Sequence, residues 1–284
     1  MLSQLDPIIS QIRQNKKLLF GLLGFGSGAL GALVAEIIPI QKNTYLFLIL
    51  NTGIWSALAA MLISIGLFWA IELYNRKQTA IWNLLKKAVP SGFIAGAISG
   101  CIAQGIFGLM QFPNVLTQFI FQAACWGIMG CILGLSLSYS IPNMGSLRAL
   151  VAGAIGGFIG GIGFLLSGIF VPVTLGRMFG IGILGAALGL SLIIVEERYR
   201  LAYLEVHWAS NESSNFTLGN TPIFIGGGED NIFVNGIPPR AMSLWVEHGK
   251  VKGVYNVTGE HKELHDGSSI KLGKVEMIVR LKST

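Results

Sequence analysis

Six apolar stretches, each about as long as a lipid hydrocarbon core is thick, leave the first two-thirds of this chain essentially one solvent in which to fold. They run Leu18–Ile40, Tyr45–Leu73, Ala88–Met110, Val115–Ser140, Leu147–Val171 and Leu175–Val195. A transmembrane helix needs about 20 apolar residues in succession. Only 12% of the 284 residues are charged and the mean hydropathy is +0.64, whereas soluble domains carry about 25% charged residues. The chain therefore reads as a membrane bundle of six helices, 18–197, preceded by a cytoplasmic segment 1–17 and followed by a soluble piece, 201–284. The first run lacks a polar, small-residue exit of the cleaved-signal kind and reads as a retained span.

Glycine shapes how these spans should pack. There are 38 glycines, roughly twice an average share of about 7%, and they lie inside the apolar runs. In lipid, small residues four apart let two helix backbones approach closely. Gly24 and Gly28 with Ala32, then Gly92, Gly96 and Gly100, Gly153, Gly157 and Gly161, and Gly185 and Gly189 all follow that spacing. Short breaks alternate with longer ones, so consecutive spans are expected to pair as antiparallel hairpins. The hairpins also echo one another: residues 94–100 (IAGAISG) return at 151–157 (VAGAIGG), and 133–137 (LGLSL) return at 188–192. Near-constant offsets of this kind indicate repeated supersecondary units.

Charge sets the orientation. Arg13, Lys16, Lys17, Arg76, Lys77, Lys86, Lys87, Arg148, Arg198 and Arg200 fall on one side of the six spans, and only Lys42 and Arg177 on the other. Cationic residues stay on the cytoplasmic side, so a multi-pass protein of the plasma (inner) membrane with both termini cytoplasmic is expected. The net charge of +6 is thereby absorbed, and no basic face with interleaved aromatics points to nucleic acid. Cys101, Cys125 and Cys131 all lie in apolar runs, which excludes a disulfide framework in the soluble piece and suits a reducing compartment.

Chemistry is sparse. Glu36, Glu72 and Arg177 sit near span ends and read as side chains that snorkel to the headgroups. Pro90 reads as opening the third span, and Gln104 and Gln122 as glue between helices. His261 and His265 are four apart but fall in a predicted loop without a third ligand, and Glu229 and Asp230 read as solvated turn residues. Neither a metal, a cofactor nor a catalytic constellation is expected. The expected partners are the bilayer, a protein at the C-terminal end, and other subunits in a homo- or hetero-oligomer.

After Arg200 the pattern becomes one of short strands: Leu201–Trp208, Ile223–Ile225, Asn231–Val234, Ser243–Glu247, Val251–Val257, Ser269–Leu272 and Val275–Leu281. Turn signals such as Asn235–Gly236 and Asp266–Gly267 separate them, which predicts an all-β sandwich. Three segments, residues 223–232 (IFIGGGEDNI), 239–246 (PRAMSLWV) and 264–273 (LHDGSSIKLG), together resemble a forkhead-associated (FHA) domain over roughly Phe216–Leu281. That resemblance implies a sandwich that reads phosphothreonine peptides through loops at one end. It also implies that Gly227 stands where the family has a phosphate-contacting arginine, Pro239 where it has a serine, and Met242 where it has a structural histidine. Arg240 keeps the family's residue. The candidate contacts are then the Gly226, Gly227 and Gly228 amides, as an anion nest, with Arg240 and Ser243. The expected function is a membrane-anchored protein-interaction or signalling scaffold. The alternatives are a small transporter or channel, and a structural subunit of a membrane complex.

Overall fold

A computed structural model describes residues 11–37, 44–77, 80–209, 212–256 and 258–282. Six long helices come first: α1 Lys16–Ala35, α2 Tyr45–Tyr74, α3 Ile81–Phe107, α4 Val115–Ser138, α5 Ser146–Phe170 and α6 Val173–Tyr199. All six are long and apolar enough to cross a membrane, as in a multi-pass membrane protein. Asn15, Thr44 and Asn114 cap α1, α2 and α4 by accepting from the amides of Leu18, Phe47 and Thr117, which satisfies donors that the helix leaves open. Residues 38–43, on which the end of the first predicted span and Lys42 fall, lie outside the described residues.

Helix α3 begins seven residues earlier than the sequence pattern suggests, so Pro90 sits inside it rather than at its start. Residues 81–87 carry Asn83, Lys86 and Lys87, which look like a connection but continue the helix beyond its apolar part. Pro90 has no N–H to give to the Lys86 carbonyl, and the neighbouring Ser91 Oγ donates to Ala88 O at 3.1 Å.

The helices close into a ring in chain order, with α2, α4 and α6 also touching near the centre and α1 completing the circle against α6. Of the short-loop hairpins expected, α5–α6 packs closely, with Gly156 and Gly160 pressed on α6 at Ala187 and Leu184, whereas α3–α4 does not. Equally close approaches join α3 to α2, α5 to α4, and α1 to α6. A Cβ built on Gly24 would overlap the Gly185 carbonyl, one on Gly96 the Ser56 carbonyl, and one on Gly153 the Gly130 carbonyl. Gly28, Gly92, Gly100, Gly157, Gly161 and Gly189 press on the same partner helices at flanking turns. Segments alike in sequence occupy equivalent places: Gly96 and Gly153 each meet the preceding helix. Gly134 and Gly189, from the two identical segments, meet α5 and α1 respectively. The α3–α4 side has no such small-residue face and is the thinnest part of the ring.

Nine strands follow: β1 Ala202–Ala209, β2 Glu212–Leu218, β3 Ile223–Gly226, β4 Ile232–Phe233, β5 Met242–Glu247, β6 Lys250–Tyr255, β7 Glu260–Leu264, β8 Ser269–Leu272 and β9 Val275–Leu281. They form two sheets, in orders β2-β1-β9-β8 and β4-β3-β5-β6-β7, antiparallel except for β3 with β4. Leu204, Val206, Met277 and Val279 of the first sheet share a buried core with Ile223, Ile225, Leu244 and Val251 of the second. Period-two alternation along β1 and β9 supplies the inward face. On the surface, Lys250–Glu263 and Lys252–Glu247 pair at 2.7 Å. The lysine hydrogen bonds hold both carboxyls below their ordinary range, though exposed pairs of this kind add little stability.

The helix crossings generate a direct test. Gly153→Val is expected to cost about 1–3 kcal/mol through overpacking. Gly26→Ala, with no atom within 4 Å of the added carbon, should leave stability unchanged to within about 0.5 kcal/mol. Thermal unfolding of the detergent-solubilised protein separates the two. Equal melting temperatures would contradict the backbone approach at Gly130.

Candidate functional site

The loop end that carries the candidate contacts is tightly organised. Gly227 and Pro239 form an isolated bridge, so the Gly226–Gly228 turn and Arg240 lie side by side. Ser243 does not join them: it is buried in β5, opposite Phe224. Several of the polar groups at this end are already used. Gly227 N donates to Pro238 O at 3.2 Å, and Val234 N to Gly226 O at 2.8 Å. Arg240, in the left-handed region (φ 52°), donates its backbone N–H to Asp230 Oδ2 at 2.6 Å, and Asn256 Nδ2 donates to Arg240 O at 2.7 Å. The Arg240 guanidinium lies 5.1 Å above the Phe224 ring. Asp230 is buried, not solvated as its place in a turn suggests. Its carboxylate holds the loop in shape, and a second anion brought here would meet a like charge.

A second polar cluster, which the sequence does not announce, joins the helices to the β region. Glu196, in the last turn of α6, receives Lys16 Nζ at 2.5 Å and the Thr217 hydroxyl at 2.9 Å. Tyr74, the last residue of α2, donates its hydroxyl to Asn215 O at 2.9 Å and accepts from Asn215 N at 2.8 Å. Its ring packs on Phe216 with centroids 5.5 Å apart, and Lys16 Nζ lies 4.9 Å from the ring centre. Arg76 pairs with Glu212 and lies 4.5 Å above Trp208. Asn143, between α4 and α5 and again left-handed (φ 59°), donates to Thr217 O at 3.3 Å and accepts from Thr221 N at 3.0 Å. At the loop end, Asn83 Nδ2 reaches Glu229 Oε1 at 3.4 Å.

Together these contacts cover the outer edge of β2, an edge that would otherwise expose unpaired backbone groups. They involve the N-terminal ends of α1 and α3, the C-terminal ends of α2 and α6, and the α4–α5 connection, all at one end of the bundle. That end holds every one of the ten clustered cations. Strand β2 was missed as a strand because its sequence, ESSNFTL, alternates poorly. Its polar face is matched by the helices rather than by water.

At the opposite end Glu36 does not reach for solvent alone. It takes Arg177 Nη1 at 2.6 Å, fastening the end of α1 to the start of α6. Gln104 Oε1 lies 3.4 Å from the Thr52 hydroxyl, a link between α3 and α2. His261 lies in β7 rather than in a loop, and both it and His265 are exposed. Among the described residues no three of His, Cys, Asp and Glu gather as a metal site.

No protein family, no curated protein and no solved structure matches this chain.

Removing one partner of the Glu196–Lys16 pair leaves a largely buried charge alone, a loss that costs about 3–5 kcal/mol at enclosed sites. Glu196→Ala is therefore expected to raise amide hydrogen exchange in residues 212–218, with β5 and β6 unchanged. Unaltered exchange in β2 would show that the junction does not depend on this carboxylate.

Proposed function

We propose that this protein is a non-catalytic, membrane-anchored interaction scaffold that holds a divergent FHA-like β-sandwich against the cytoplasmic face of the plasma membrane. The observation that carries this reading is the junction. Glu196, Tyr74 and Asn143 fix the β2 edge to the cation-rich end of the bundle, while the turns at His248–Gly249 and Asp266–Gly267 and most of β7 are exposed. A module tethered only for location needs a linker, and here only two residues, Arg200 and Leu201, separate α6 from β1. Fixed orientation is what a platform for other proteins requires. The ten-to-two cation bias supports a cytoplasmic location for the sandwich and both termini.

The FHA likeness rests on the order of the three sequence segments and on two antiparallel-rich sheets around one core. Phosphothreonine reading is disfavoured. Gly227 and Pro239 offer no side chain to a phosphate, the Gly227 amide is spent on Pro238, and Arg240 lies over Phe224 with its own amide bonded to Asp230. Charge-assisted forks and free N–H donors are what a phosphate dianion demands. The sandwich therefore recognises a partner through its exposed surface, without phosphate.

Inverted membrane vesicles bearing the full-length chain should retain a saturable cytosolic partner that right-side-out vesicles do not. Phosphatase treatment of the cytosol and Arg240→Ala should leave that retention unchanged. Lys250→Glu combined with Lys252→Glu, on the exposed face of β6, should reduce it. A partner lost on phosphatase treatment and on Arg240→Ala would overturn the phosphate-independent reading, and retention by right-side-out vesicles would overturn the orientation.

A further inference from the structure

A hollow of about 420 Å³ opens where the β region meets the bundle, between the α4–α5 connection, the first turn of α5, the end of α6 and the turn from β2 to β3. Two arginines, Arg148 and Arg200, line it, and the lining includes no aspartate or glutamate. Other cations at this end are matched: Lys16 by Glu196, Lys17 by Glu197 and Arg76 by Glu212. The two carboxylates one turn before Arg200 are therefore already taken. Among the described residues neither Arg148 nor Arg200 pairs with a carboxylate.

Aromatic rings hold these two arginines instead. The Arg148 guanidinium lies 4.9 Å from the centre of the Tyr199 ring, and that of Arg200 4.2 Å from the centre of Tyr203. A ring face attracts the charge but offers no lone pair in the guanidinium plane, so the N–H forks keep their capacity for an acceptor. Such forks match the oxygens of a phosphate. Ser146, Asn220 and Thr221 bring neutral donors to the same lining. Helix α5 has no side-chain cap and no acid in its first turn, so its positive end adds to the field of the arginines.

Apolar surface adjoins the hollow on the bundle side. Leu147 and Leu201, both in the lining, are 74% and 57% exposed. Val151, Ile155 and Ile159, also exposed, continue from Leu147 in steps of four along one outer face of α5. A soluble phosphate makes no use of that track, whereas an acyl chain does.

We infer that this hollow is a binding site for an anionic phospholipid, with the phosphate between Arg148 and Arg200 and an acyl chain along Leu147, Val151 and Ile155. The site is complete only with the β region docked, because Asn220 and Thr221 belong to it. It is independent of any protein that the sandwich holds.

The full-length protein is reconstituted in phosphatidylcholine nanodiscs doped with phosphatidylglycerol that carries a photoreactive diazirine near the carbonyl end of one acyl chain. Adducts are mapped by peptide mass spectrometry. Labelling within residues 147–155 is expected to saturate as the doped fraction rises, and phosphatidylcholine carrying the same diazirine should give no saturation there. Arg148→Gln, at an exposed position, should raise the half-saturating fraction roughly tenfold, the effect of about one charge-assisted hydrogen bond. Lys87→Gln, which removes another exposed cation from the same end of the bundle, should leave it unchanged. Equal effects of the two substitutions would reduce the site to a diffuse attraction for anionic lipid and overturn the inference, as would equal labelling by the two lipids. Micromolar glycerol phosphate should not displace the lipid; displacement would assign the hollow to a soluble phosphate ester instead.

Discussion

The Glu196 carboxylate is 3% exposed and takes Lys16 Nζ on one side and the Thr217 hydroxyl on the other. Each member of the ion pair sits at the wrong end of its own helix: the lysine in the first turn of α1, the glutamate in the last turn of α6. Helix dipoles disfavour both placements. Side by side, the two charges offset one another and the two helix ends, and the pair exists only when α1 lies against α6. The same carboxylate then reaches β2. Ring closure and attachment of the β region are thus set by one buried group, with the Tyr74–Asn215 pair of hydrogen bonds beside it.

Within the ring, backbone contact replaces side-chain packing at several crossings, among them Gly24 on Gly185, Gly96 on Ser56, Gly153 on Gly130 and Gly160 on Leu184. Lipid provides no hydrophobic drive for helix association, so close van der Waals contact must supply it. The small residues lie on the α2–α3, α4–α5, α5–α6 and α6–α1 faces, across longer and shorter connections alike. Loop length therefore does not determine which helices pack most closely. The thin side, α3–α4, is held by Phe107, Phe112 and Phe121 near its outer end, and that is where the interior opens.

Most of the helical part was legible, because hydropathy over twenty residues is a strong signal. What escaped had local causes. Lys86 and Lys87 look like the end of a connection, yet they extend α3 past its apolar stretch and place Pro90 inside it. The sequence of β2 shows neither period, since its polar groups face Tyr74, Asn143 and Glu196 rather than a sheet interior. Strand β7 carries four exposed residues in succession and reads as a loop. The neighbourhood of Gly226–Gly228 and Arg240 followed from the order of the sequence segments. That Asp230 and Pro238 would occupy their amides did not, because both bonds depend on how the loop folds back. Glu196 was overlooked because a tally of cations near span ends ignores the carboxylates that bury them.

Rigid attachment of the β region to the helices is tested most directly by a distance across the junction. With Cys101, Cys125 and Cys131 replaced by alanine, spin labels at Trp82→Cys in α3 and Lys271→Cys in β8, both exposed positions, can be read by pulsed electron paramagnetic resonance in lipid nanodiscs. One narrow distance distribution is expected, broadening when Glu196→Ala and Tyr74→Phe are added. A broad distribution in the unmodified junction, unaffected by those substitutions, would mean that the sandwich is tethered rather than docked.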